Sequence, residues 1–154
     1  MEKKEKISFS PIVRNTNSKI VIAHGTSPVW KDLRHFLYNR LGLNVEEFNS
    51  KPVAGLTVQE RLDEMKESAC FAFFVLTGDN NHKDGTFHAR DNVLHEMGIF
   101  QNELGQKKSI ILLEDGCEEP TNIAGTQQIR FPKGNIMAVS EEIRKVLERE
   151  ELIL

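Results

Sequence analysis

The chain is poor in what would staple it or let it grip a polyanion. Only 2 of its 154 residues are cysteine. Cys70 opens an apolar run, Cys117 stands in a polar loop, and neither has a Cys-x-x-Cys neighbour, so the pair does not read as a disulfide framework. A reducing, cytosolic compartment is expected. A formal net charge of -3 argues against electrostatic binding to nucleic-acid backbone or an acidic membrane, and leaves a small molecule or another protein as partner. No run approaches the roughly 20 apolar residues of a membrane span. The opening MEKKEKISFS has basic residues without an apolar stretch behind them. Gly-x-x-x-x-Gly-Lys and Gly-x-Gly-x-x-Gly are absent, which removes P-loop kinases and dinucleotide-binding dehydrogenases, and no nucleophile elbow is present. His82, His88 and His95, with Asp79 and Asp84, match no zinc spacing, so no metal site is expected.

What is present is one domain's worth of alternating strands and helices. The length suffices to bury a core without disulfide or metal. Residues 1–18 form a charged and polar lead, and residues 19–154 form the domain. Ile20 to Ala23 is a buried-type strand of β-branched residues that ends at His24-Gly25-Thr26-Ser27. Pro28 suits a first helical turn, and Trp30, Leu33, Leu37 and Leu41 mark a helix that Gly42 stops. Asn44 to Phe48 reads as a short, more exposed strand, and a loop follows to Gly55. Val58, Leu62, Met65 and Ala69 mark a second helix, with Thr57 as N-cap and Glu60 at the capping-box position. Cys70 to Thr77, the most apolar run, should be a central strand opening into a polar loop from Gly78 to Phe87. Beyond the next helix, Gly105 is the stop, Ser109 to Leu113 a fourth strand and Gln127 to Phe131 a weak fifth. Met137 to Leu152 closes the chain with Val139, Ile143, Val146 and Ile153 loosely periodic. The acidic run Glu148 to Glu151 reads as a solvated helix face, and the apolar ending suggests continuation into a partner domain. Five strands with interleaved helices predict an α/β, flavodoxin-like parallel sheet with helices on both faces. Ligands in such sheets sit beyond the carboxyl ends of the strands.

The stretch Ala89 to Phe100 carries the chemistry. Val93, Met97, Phe100 and Leu104 recur at the spacing of a core-facing helix, and Glu96 projects one position from that stripe, with Asn92 one turn before it. Its carboxylate is therefore expected at the core edge, partly desolvated, where a carboxylate is a candidate catalytic group. Arg90 either holds Glu96, binds a phosphate or makes a surface salt bridge. His24 either contacts phosphate or ribose or hydrogen-bonds backbone. Trp30, Phe48 and Phe87 are core, rim or ring-stacking residues.

In order along the chain, Ile-Ala-His-Gly at 22–25, Trp30, Pro52 with Gly55-Leu56-Thr57 and Glu60, Val75 to Asp79, Ala89 to Phe100, Leu104-Gly105, and Pro120 with Ile123-Ala124-Gly125 resemble the TIR-like predicted nucleotide-binding domains of bacterial antiphage effectors, including those fused to STING-like sensors. This chain departs at Gly78-Asp79-Asn80, where the family usually has Pro-Asp-Asp, at Gln106 and at Thr121-Asn122. The resemblance implies a TIR-like fold and an NAD+-cleaving enzyme without metal or cofactor, with Glu96 catalytic. It also implies substrate binding by His24, Gly25, Thr26, Trp30, Asp79, Arg90 and Asn92. The implied partners are NAD+ and further copies in an oligomer or filament, activated through a fused or separate cyclic-nucleotide sensor. Cleavage of the nicotinamide N-glycosidic bond passes through an oxocarbenium-like state that one carboxylate can stabilise. Two competing classes are a TIR-like interaction scaffold without chemistry and a nucleoside deoxyribosyltransferase-like N-glycosidase. A phosphorylation receiver would need an acidic pair where His24-Gly25 stands.

Overall fold

A computed structural model describes residues 19–48, 55, 57, 60, 63–64, 69–78, 80–81, 87–88, 91–120 and 128–153. The 1–18 lead, Asp79, Arg90, Pro52, the segment 121–127 and most of the helix expected after Thr57 lie outside them. That helix's start is nonetheless recorded in its capping box. The Glu60 amide donates to Thr57 Oγ1 at 3.0 Å and the Thr57 amide donates to Glu60 Oε1 at 2.9 Å, satisfying two donors that a helix start leaves unpaired.

β1 (Lys19–His24), β2 (Val45–Glu47), β3 (Ala69–Leu76), β6 (Ser109–Glu114) and β7 (Ile129–Phe131) form one sheet in the order β2-β1-β3-β6-β7, parallel throughout. β3 is central and buried on both faces, which is why it reads as an unbroken apolar run rather than an alternating one. Alternation along β1 divides the core. Val21 and Ala23 face α2 (Asp91–Leu104), with Phe74, Val93, Met97 and Phe100. Ile20 and Ile22 face α1 (Trp30–His35) and α3 (Ser140–Arg149), with Leu33, Phe73, Ile143 and Leu147. Helices thus cover both faces, as expected.

Three local readings need correction. The helix expected over Trp30 to Leu41 changes pitch. After α1 the chain takes a π turn over Phe36–Arg40, in which the Leu41 amide donates to the Phe36 carbonyl at 3.1 Å. Gly42, at φ 72°, then lets the Leu43 amide close back onto the Leu37 carbonyl at 3.0 Å. The segment expected to be a polar loop from Gly78 contains a two-stranded antiparallel ladder, β4 (Asn80–Asn81) with β5 (Phe87–His88), too short to show a period in sequence. At the C-terminus a 3-10 turn over Ile136–Val139 precedes α3, and the helix ends at Arg149. Its buried row is therefore Val139, Ile143 and Leu147, with Val146 and Ile153 only flanking it.

Candidate active site

The carboxyl edge of the sheet is assembled from β1, β2 and the start of α2. β1 ends at His24, and Gly25, Thr26 and Ser27 turn the chain into α1. Ser27 Oγ accepts the Val29 amide at 3.4 Å, and the Lys31 and Asp32 amides donate to Pro28 and Val29, winding the first turn. α2 begins at the same edge and packs against β1, β3 and β6. Glu96 stands in its second turn, about 7.5 Å along the axis from Asp91 at 1.5 Å per residue.

Glu96 is only 5% exposed. It does not sit beside the apolar stripe, as the sequence suggested, but within it. It lies three residues after Val93 and four before Phe100, both buried, and positions i, i+3, i+4 and i+7 face one way on a helix. Four core positions, 93, 96, 97 and 100, are thus filled by Val, Glu, Met and Phe. A carboxylate in such surroundings gains strongly from any cation or donor that approaches it, because little water competes. His95 and Glu103 on the same helix are exposed.

The second cluster lies on the other face of the sheet. His24 is stacked on Trp30, with ring centroids 4.0 Å apart and 11° between planes, and the Arg34 guanidinium carbon lies 5.1 Å from the indole centroid. Trp30 is 7% exposed, so its rings are largely engaged by the protein's own side chains. His24 Nδ1 donates to the Gly25 carbonyl at 2.6 Å, and Nε2 meets Glu47 Oε2. The backbone hydrogen bond that the sequence reading offered for His24 is thus made. Phe48 is core, edge-on to Phe100 at 5.5 Å.

The structure therefore brings His24, Gly25 and Trp30 together and adds two residues that sequence reasoning passed over, Glu47 and Arg34. Thr26 is exposed at the same turn. Glu96 belongs to the α2 face, on the other side of the sheet from this cluster. Asn92 lies on the backbone of α2 one turn before Glu96, while Asp79 and Arg90 fall outside the described residues. Glu47 had one sequence signal: it follows Glu46 in a strand, and adjacent strand residues face opposite ways. Lys19 takes Glu46 at 3.2 Å on one face and His24 takes Glu47 on the other. A groove of about 370 Å³ lined by Arg34, His35, Tyr38, Asn39 and Val45 lies beside α1 and β2, away from the α2 face. Among the described residues no helix is long and apolar enough to cross a membrane.

Comparison with known proteins agrees with this architecture. The chain is 28% identical over 127 residues to the uncharacterized protein YuaY of Escherichia coli strain K12, covering 79% of this chain and 41% of that protein. It is 30% identical over 90 residues to the CD-NTase-associated protein 12 of Flavobacterium daejeonense, covering 55% of this chain and 29% of that protein. The chain thus spans less than half the length of these relatives. The model of one family, described as the CAP12/Pycsar effector protein TIR domain, matches residues 19–133, from the first residue of β1 to just beyond β7, and the chain belongs to that family.

Proposed function

We propose that this domain cleaves NAD+ to nicotinamide and ADP-ribose or a cyclised form, with Glu96 as the catalytic residue, and that it serves as an antiphage effector. The observation that carries the proposal is a carboxylate, 5% exposed, in a core position of α2 at the sheet edge where such folds bind ligands. Membership of the effector TIR family supports the same reading. As the glycosidic bond breaks, positive charge grows on the ribose. The Glu96 carboxylate stabilises that charge in surroundings where water does little to screen it. Nicotinamide leaves as a neutral molecule, so no general acid is required, and water bonds to the anomeric carbon and sheds a proton to give ADP-ribose. His24, Gly25, Thr26 and Trp30 are proposed as the β1 side of the site, and Asp79, Arg90 and Asn92 as further substrate-binding residues.

The name of the Flavobacterium relative, a CD-NTase-associated protein, supports coupling to a nucleotide signal through a fused or separate sensor. Clustering of copies is the proposed means of activation. The test is nicotinamide release from NAD+ by the full chain over a wide range of protein concentration, with ribonucleosides and deoxyribonucleosides as alternative substrates. Glu96→Gln keeps volume but removes charge, and turnover falls by about two orders of magnitude. Glu103→Gln, two turns on and exposed, stays near wild type. NAD+ left intact at high protein concentration, or a folded and fully active Glu96→Gln variant, returns the chain to the interaction-scaffold class.

A further inference from the structure

Both ring nitrogens of His24 face oxygen acceptors. Nδ1 lies 2.6 Å from the Gly25 carbonyl, and a carbonyl only accepts, so Nδ1 carries hydrogen. Nε2 meets Glu47 Oε2. A neutral imidazole with its hydrogen on Nδ1 would present a lone pair there, and two lone pairs do not bond, so the contact needs a second proton. The two side chains are thus joined through one proton between Nε2 and Oε2. The ring has no freedom left, because its face is stacked on Trp30. The His24 and Glu47 side chains are 14% and 24% exposed, which shields the contact more than a surface ion pair. The other charged side chain at this indole is Arg34 of α1. From β1 and β2, Lys19 and Glu46 pair with one another on the opposite face.

We propose that Glu47 is a positioning residue that holds the doubly hydrogen-bonded His24 ring in place and thereby fixes the Gly25–Ser27 turn at the carboxyl edge. β2 thus controls a turn that belongs to β1. Glu47 acts on substrate only through His24 and the Gly25 carbonyl it holds. The kinetic part of this role rests on the NAD+-cleaving reading; the hydrogen bond at Nε2 does not.

Two variants test it. In Glu47→Gln the amide turns to donate to Nε2, so the ring keeps its pose. In Glu47→Leu the ring loses its partner. Imidazole nitrogen NMR is expected to find both His24 nitrogens hydrogen-bonded in the wild type and in Glu47→Gln, and Nδ1 alone in Glu47→Leu. KM for NAD+ stays within about twofold of wild type in Glu47→Gln and rises about tenfold in Glu47→Leu, with kcat changed less than about threefold in both, as for lost ground-state binding. A wild-type His24 with a single hydrogen-bonded nitrogen, or a Glu47→Leu variant with unchanged KM, overturns the proposal. If Glu47→Leu does not fold, the NMR comparison of wild type with Glu47→Gln decides. If the wild type does not cleave NAD+ at all, the functional reading fails and the same comparison still decides the role of Glu47.

Discussion

Removal of the Phe100 ring tests what holds α2, and with it Glu96, against the sheet. Phe100 is 1% exposed, meets Phe48 edge-on at 5.5 Å and 81°, and meets Phe74 at 5.9 Å and 53°. Truncating a buried Phe to Ala costs about 3–5 kcal/mol, and aromatic pairs add about 0.5–1.5 kcal/mol each beyond area. The truncation range already contains ring contacts of this kind, so Phe100→Ala should cost about 4 kcal/mol. A domain of ordinary stability, about 5–15 kcal/mol, survives that loss. At about 2–4 °C per kcal/mol for a chain of this size, Tm drops by about 8–16 °C. Urea unfolding followed by fluorescence of Trp30, the single tryptophan, is the assay. Trp30 lies in the core on the opposite face, so it reports global unfolding rather than the site of the substitution. The midpoint should fall while the slope stays constant. Because Glu96 is one turn before Phe100, nicotinamide release should fall as well, through kcat more than KM. A cost below about 1 kcal/mol would show that α2 is not anchored through this ring and would refute the reasoning.

Three further outcomes follow from the same geometry. Nicotinamide release should stay within about twofold of its value after EDTA treatment, because the leaving group already carries positive charge and one carboxylate stabilises what develops; loss restored by one particular metal would overturn this. Thr57→Ala removes one half of the reciprocal capping box and should cost about 1 kcal/mol in urea unfolding, with Thr57→Ser close to neutral. Hydrogen bonding from Arg144 holds the Glu141 carboxyl below the usual carboxylate range. A folded-state value below the unfolded one gives stability that is present above the unfolded value, near pH 4.3 in about the usual case, and lost as pH falls through the folded one. The pair is fully exposed, so its share of stability is small. Arg144→Ala should move the Glu141 titration midpoint upward by NMR, and an unmoved midpoint would remove the pair from the account.

Much of the molecule was determined by the sequence itself, wherever the deciding interactions lie within one or two turns of chain. Continuous apolar runs placed β1, β3 and β6, since strands buried on both faces tolerate no polar alternation. The 3.6-residue period marked α2, and its stop at Gly105 follows from a φ of 83° that other residues rarely adopt. Thr57 and Glu60, three residues apart, named their own capping box. Glu96 was legible as a carboxylate at the flank of an apolar stripe, but its depth was not. How far a flanking position is buried depends on what packs over it. Here Glu96 falls inside a four-position row that α2 turns toward β1, β3 and β6. Glu47 was not legible as the partner of His24, because the two are 23 residues apart and only the parallel register that sets Ile22 beside Glu47 brings their side chains together. The widened turn after α1, the short β4–β5 ladder and the place of Leu147 in the core were likewise settled by tertiary packing. Each turns on where a distant surface lies, and no local period encodes that distance.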